Sequence, residues 1–425
     1  MLQWSRVAAD GGFSLTLTTL NFDPSVSWAI YVRQVRKALE RWLTLAREGA
    51  FETIHAERES LIDTLVEAAH MPSVQALAFE LGLAVDATMQ WQGHWDDWHP
   101  ALLNVLLAAQ TAGDRAIQAW LWGRLGALYT LRADYTRATA AYRTTLSIAR
   151  ELGLRGEVAA AWGLLGLAEL ARRQDRFSEA QSYVAGALGH ARCAGDPTTL
   201  GRVYLVGSNA YGAASEWGGA FEYAQMALVY AARTNNAPEQ AKALHALGII
   251  YSTGFHRPAQ AMVLVRRAAA IYETIGGSHL LGLLDVLLGN LYERLADWPN
   301  AESCYRRAMA RFERLGTTHD LAMARQNFGM ALIERGAWQE AERFLLAALE
   351  DWHRLDAPIG RVSALSALGD LYARQGLRGD AVRQWEAALA LAQALPPSAT
   401  LAEITAYIGE QRRGLAMDQP PGGQG

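Results

Sequence analysis

The sequence predicts an all-α solenoid built from about eight copies of one helix-turn-helix unit, and three periodic signals carry that prediction. Small side chains recur at Ala138, Ala180, Ala220, Ala261, Ala301, Ala341 and Ala381, with Trp98 in the equivalent place before them, in steps of 40, 42, 40, 41, 40, 40 and 40 residues. A period that regular marks one supersecondary unit stacked on itself. A second small residue (Gly126, Ala168, Ser208, Gly289, Gly329, Gly369) precedes its alanine by twelve, and Gly248 precedes Ala261 by thirteen. The third signal is Gly113, Gly153, Gly195, Asn235, Gly276, Gly316 and Asp356 at the same beat. Glycine or asparagine there takes the left-handed conformation that ends a helix, and aspartate does so at some cost.

Taken in order, residues 1–27 hold a Gly-Gly and the alternating SLTLTTL and read as an irregular lead-in that a short strand would also fit. Residues 28–72 read as an N-terminal helical cap, with Trp28, Val32, Val35, Leu39, Trp42 and Leu43 along one side. The array covers 73–392. In each unit a large or apolar residue stands three past the first small one (Tyr129, Ala171, Tyr211, Tyr251, Tyr292, Leu332, Tyr372) and is expected to fill the gap beside it. A ring often follows the turn, as in Tyr135, Phe177, Trp217, Trp298 and Trp338. The extra residue of the 41-residue step is expected in the turn around Phe255 to Pro258, and the 42-residue step spans the boundary between the first two full units. Residues 393–416 should supply a capping helix and 417–425 a disordered tail.

Composition narrows function. A net charge of −4 and a pI of about 6.2 argue against nucleic acid as partner. No apolar run reaches the length of a membrane span, and the opening MLQWSRVAADGG lacks a signal-peptide pattern, so a soluble cytoplasmic protein is expected. Cys193 and Cys304 form no CxxC, which indicates neither a disulfide framework nor a zinc site.

Trp122-x-x-Leu125-Gly126-x-x-Tyr129 followed by Ala138 and Tyr142 resembles the tetratricopeptide repeat, over roughly residues 73 to 392. The resemblance implies a right-handed α-α superhelix. The period departs from the family's 34 residues, so the helices should be longer by most of a turn. Long repeats of this kind occur in kinesin light chains, bacterial peptide-pheromone receptors and the sensor arrays of bacterial NB-ARC (STAND) signalling ATPases. Residues 93 to 129 are similar to the junction where the last of these enter their repeats, and 51 to 69 to the helical segment before it. No GxxxxGK[ST] occurs, and neither lysine, Lys37 or Lys242, follows a glycine. The chain therefore resembles the sensing half of such a protein without its motor, and a separate ATPase, protease or regulator subunit is an implied partner.

Family geometry places the first helix of each unit on the concave face. The groove residues it assigns include Arg172, Arg173, Arg202, Asn209, Lys242, His245, Asn290, Glu293, Arg294, Gln326, Glu334, Asp370 and Arg374, together with Glu169 and Ser252. The middle units are basic and the last more acidic, which suits a protein or peptide segment with charge at one end. Asn209 and Asn290 share a register position, where an amide offers both donor and acceptor to a bound backbone. The chaperone-type carboxylate clamp is not reproduced: its basic positions fall on Leu205, Leu283 and Leu287.

Catalytic signals are weak. His94 and His99 flank Asp96 and Asp97 in GHWDDWHP, but aspartates suit a helix N-terminus and the structural reading prevails. No GxSxG, HExxH or EF-hand loop occurs. The expected function is a non-enzymatic protein- or peptide-binding sensor or adaptor in bacterial signalling or defence, needing no metal or cofactor. The alternatives are a pheromone-receptor-like regulator of transcription or of an enzyme, and a passive assembly scaffold.

Overall fold

A computed structural model describes residues 5–6, 13–14 and 24–417, apart from 93, 133, 175, 276, 356, 396 and 398. The helix stops expected at Gly276 and Asp356, the tail and most of the lead-in lie outside the described residues. The chain divides into two units, Met1–Val85 and Asp86–Gly425.

In the first unit β1 (Ser5–Arg6) pairs antiparallel with β2 (Phe13–Ser14). Three helices follow: α1 (Pro24–Glu48), α2 (Phe51–Ala56) and α3 (Arg58–Ala69), each packed on the others. Val35, Leu39, Trp42 and Leu43 of the expected stripe are buried, but Trp28 at its start is 56% exposed. The division between the units falls within α4 (Gln75–Gln92).

The second unit continues with α5 (Trp95–Thr111) and then, among the described residues, seven helix pairs. They are α6 (Arg115–Leu131) with α7 (Tyr135–Leu152), α8 (Glu157–Arg173) with α9 (Phe177–Ala194), α10 (Pro197–Ala213) with α11 (Trp217–Arg233), and α12 (Ala237–Ile249) with α13 (Pro258–Ile275). The last three are α14 (Ser278–Arg294) with α15 (Trp298–Leu315), α16 (Thr318–Arg335) with α17 (Trp338–Arg354), and α18 (Pro358–Arg374) with α19 (Arg378–Gln393). Helix α20 (Ala399–Met417) packs on α18 and α19.

The periodic alanines are all buried, as close packing requires. The partner of the first small residue differs from expectation. A Cβ built on Gly126 would meet Tyr142 at 2.6 Å, on Gly289 Tyr305 at 2.8 Å, on Gly329 Leu345 at 2.8 Å and on Gly369 Trp385 at 2.3 Å. Each of those side chains stands four residues past the periodic alanine, on the second helix of the unit. Residues three apart on one helix stand side by side and do not fill each other's space, whereas a facing helix does. Tyr142 also reaches the next unit, where a Cβ on Gly166 would lie 2.0 Å from its ring, so one tyrosine ties two units together.

The described helix stops Gly113, Gly153, Gly195, Asn235 and Gly316 all have positive φ, between 49° and 70°. The turn inside the unit uses the same device at Ser215, Ala296, Gly336 and Gly376, with φ from 56° to 81°. There the following N–H donates back to a carbonyl inside the helix, Asp297 to Tyr292 and Leu377 to Tyr372 at 2.9 Å each, which closes the helix end. Ala296 holds this left-handed position without glycine's freedom. Ala296→Gly is therefore expected to stabilise the fold by about 1 kcal/mol, since the left-handed cost of alanine exceeds the entropy glycine adds. Thermal unfolding checks it, and a lower melting temperature would refute it.

The two irregular steps have local causes. A short 3₁₀ turn, Gly153–Gly156, takes up the extra length between α7 and α8 and leaves Leu154 88% exposed. The single extra residue before Ala261 is not in the loop around Phe255 to Pro258; it widens the last turn of α12 into a π-turn over Ile250–Gly254. A π-turn absorbs one residue while both neighbouring faces keep their register. Gly248 thus still faces Val265, and Trp217 of the preceding helix packs on Gly254.

First helices touch one another in succession from α6 to α12 and again from α14 to α20, while α12 and α14 approach less closely. The array also winds back on itself: Trp95, at the start of α5, lies edge-on to His279, at the start of α14, with ring centroids 5.4 Å apart.

Candidate peptide-binding groove

Family geometry would place the first helices on the concave face, and the side chains along them share one register. Eighteen residues before the periodic alanine stand Trp120, Trp162 and Arg202, and Lys242 takes the same place before the extra residue. Arg202 Nη1 and Lys242 Nζ both donate to Glu239 Oε1 at 2.7 Å. Arg172 and Arg173 likewise share Glu169, each at 2.8 Å. Glu169 and Glu239 are partly buried, and their desolvation opposes ionisation, but the two cations around each hold its carboxyl down to about 2. Burial and then Arg202 pull the Lys242 ammonium down to about 8, against the pull of Glu239. His245 lies deeper on α12, where burial lowers its pKa to about 4 and leaves the ring neutral at pH 7.

The two asparagines of the shared position part company. Asn290 Oδ1 accepts from Tyr305 Oη at 2.6 Å, and Glu293 accepts from the same hydroxyl at 3.0 Å, so this amide is committed to the fold. Asn209 is exposed on α10. Arg294 Nη1 donates to the Ser252 carbonyl at 2.9 Å and so bridges the π-turn. Gln326 donates to Ser363 at 2.8 Å and accepts from Trp352 Nε1 at 2.9 Å. Glu334 pairs with Arg374 at 3.0 Å, both more than half exposed.

Asp370 closes this row. It accepts from Trp385 Nε1 at 3.1 Å and from Tyr407 Oη at 3.0 Å, which fastens α20 to α18. Burial raises its carboxyl to about 6, against these two hydrogen bonds and Arg374, while Glu334 adds to the rise. A carboxyl raised in the fold adds stability that is full below its unfolded value of about 3.9 and is lost as pH climbs through about 6. Asp370→Asn should accordingly raise the melting temperature at pH 7.5 and flatten its fall between pH 4 and 7. Parallel pH profiles for the two proteins would refute this.

The first helices hold residues that inspection of single positions missed. Arg124 on α6 is buried, pairs with Asp86 at 3.2 Å and lies over the Trp162 ring at 4.2 Å, with Arg202 on that ring at 5.0 Å. Trp162 Nε1 donates to Thr199 at 3.3 Å. For Trp162 the signal was the register column, in which tryptophan gives way to arginine and lysine along successive helices; Arg124 lies outside that column. Away from the groove, Asp96 pairs with Arg132, and His99 meets Tyr129 Oη at 3.4 Å. Among the described residues no three His, Cys, Asp or Glu side chains converge as metal ligands, and no helix is long and apolar enough to cross a membrane.

The fold these consecutive helix pairs define is an α-solenoid like that of tetratricopeptide repeats. Residues 281–352 match the family model described as tetratricopeptide repeat. Among solved structures, the chain is similar to a Rap protein complexed with competence and sporulation factor: 14% identity, 88% of this chain and 99% of that one covered, TM-score 0.58. It is similar to NprR in complex with its cognate peptide NprX, at 12% identity over 71% of this chain and 85% of that one, TM-score 0.51. A STAND protein with a tetratricopeptide repeat sensor from Pyrococcus horikoshii matches at 13% identity over 85% of this chain and 54% of that one, TM-score 0.50. At such identities the likeness is one of fold. No curated protein matches in sequence.

Proposed function

We propose that the chain is a non-enzymatic sensor or adaptor that binds a peptide, or an extended segment of a protein, in the concave groove. The observation that carries this reading is the state of the groove side chains. Arg202, Lys242, Gln326, Glu334 and Arg374 are braced by partners on the same or neighbouring helices, which leaves little entropy to lose on binding. Asn209 is exposed on α10 with an amide that can pair with a peptide backbone in both directions. NprR, similar in fold, is seen with its cognate peptide, and a Rap protein, also similar in fold, with competence and sporulation factor, which supports the choice of ligand. Repeats couple chiefly to their neighbours, so a ligand that bridges several first helices shifts their relative angles and passes the change along the array.

Screening the full chain against a randomised heptapeptide library tests the reading. Asn209→Ala is expected to weaken recovered peptides about tenfold, the loss of hydrogen bonds worth about 1.4 kcal/mol. Peptides that bind Asn209→Ala as well as the unaltered chain, and that cross-link to second helices only, would move the site off the groove.

A further inference from the structure

Units of a solenoid touch their neighbours, but the Trp95 and His279 rings meet across four intervening helix pairs, α6–α7 to α12–α13. Both rings are held by other bonds. Trp95 Nε1 donates to the Gln90 carbonyl at 3.1 Å, which fixes the indole at the start of α5. His279 Nε2 lies 2.7 Å from Asp320 Oδ2 on α16, and Phe312 of α15 stands edge-on to the same imidazole at 6.0 Å. The other carboxylate oxygen of Asp320 faces His319 Nδ1 at 3.6 Å. His279 is thus a fixed seat, with a side chain only 13% exposed. Trp95 opens a second helix and stands on the edge where a unit turns on itself; His279 opens a first helix and stands on the opposite edge, between units. In an array whose units touch their neighbours, opposite edges meet only where one coil comes round against the next. A second, independent observation lies on the arc between them. Successive first helices approach least closely at α12 and α14, and Arg294 Nη1 spans that joint to the Ser252 carbonyl at 2.9 Å. The coil therefore has a loose joint and a fastening.

We propose that Trp95 and His279 form a latch that holds one coil of the array shut against the next, and that a ligand reaches the first helices α6 to α12 fastest when the latch is released. The ligand is taken from the peptide-binding reading; the latch does not depend on it. An aromatic pair shifts an equilibrium about 2- to 12-fold beyond the area it buries, which favours the closed coil and still lets it open. The joint between α12 and α14 is where the coil yields.

Small-angle scattering of the full chain, followed by stopped-flow peptide binding, tests the latch. Trp95→Ala removes one ring. His279→Gln removes the other and keeps a donor for Asp320, so the test survives if one variant folds poorly. Both should enlarge the radius of gyration, and the double variant should enlarge it no further than the larger single effect, because one contact is lost in every case. Trp338→Ala is the control: its ring holds the same register place as Trp95, three before a periodic position, is 40% exposed, and should leave the radius unchanged. Heptapeptides recovered from the library should associate about 2- to 12-fold faster with either latch variant than with Trp338→Ala. An unchanged radius in both latch variants, or an equal gain in Trp338→Ala, overturns the latch. A larger radius with unaltered peptide association overturns its control of ligand entry and leaves the peptide reading standing. If no peptide binds, the peptide reading falls and the scattering alone decides the latch.

Discussion

Asp86→Ala is expected to destabilise the Asp86–Gly425 unit by about 3 to 5 kcal/mol, because it strands a buried guanidinium. Asp86 is almost wholly buried and does three things at once: it pairs with Arg124 Nη1 at 3.2 Å, accepts from Trp98 Nε1 at 3.0 Å and accepts from Gln90 Nε2 at 3.1 Å. Burial and the nearby Arg202 already work against the charge on Arg124, and Asp86 is the group that offsets them. Without it Arg124 keeps its charge in a site that disfavours it, and the Trp98 indole loses its acceptor. Asp86→Asn should recover part of the loss by restoring an acceptor to Trp98 but no counter-charge to Arg124. The contrast is Glu334→Ala, which breaks a pair more than half exposed on both sides and should cost no more than about 1 kcal/mol. Denaturant unfolding followed by circular dichroism reads both. Slopes must be compared too, since repeat arrays lose all-or-none behaviour when one interface weakens. An Asp86→Ala cost as small as that of Glu334→Ala would show that Arg124 finds water or another anion.

The fold was legible because its packing rules repeat. An alanine that must let two helices meet, or a glycine that must take positive φ, recurs with the period, and Ala301 or Gly316 reads the same as its counterparts elsewhere. The partner of the small residue was misread because sequence shows neighbours on one helix, such as Gly289 and Tyr292, more readily than residues across a turn, such as Gly289 and Tyr305. The in-unit turn was missed for a related reason. Only Gly336 and Gly376 advertise positive φ there, while Ser215 and Ala296 adopt it under the pull of the helix-closing hydrogen bonds.

The polar contacts of the first helices were not legible as a set of bonds. Arg202 to Glu239 and Gln326 to Ser363 are each 37 residues apart, three short of a period, the offset that joins neighbouring first helices one turn out of step. A scan at that offset would have paired them in advance. It would not have found Asn290 with Tyr305, which depends on how the second helix folds back, nor the winding that brings Trp95 to His279. Those contacts depend on the cumulative angle of the array, which no single unit encodes.

The second large effect is expected at the other end, where Trp385→Ala should cost about 3 to 5 kcal/mol. Trp385 is fully buried, packs in one cluster with Val362, Ala388 and Leu401, and donates from Nε1 to the Ser366 carbonyl at 3.2 Å and to Asp370 at 3.1 Å. Its ring fits because Gly369 has no side chain: a Cβ there would lie 2.3 Å from the indole. Gly369→Ala alone should therefore cost about 1 to 3 kcal/mol, since neither backbone nor a packed indole can give way easily. The pair distinguishes close packing from an intrinsic need for glycine in the helix. Glycine costs about 0.5 to 1 kcal/mol against alanine in a helix interior, so in a Trp385→Leu background, where the ring is gone, Gly369→Ala should become neutral or stabilising. The coupling between the two substitutions is then at least about 1 kcal/mol. Equal penalties in both backgrounds would mean that the glycine serves something other than the indole. In that case the rule that Gly126, Gly289, Gly329 and Gly369 each seat a second-helix side chain would fail at the closest approach of the four.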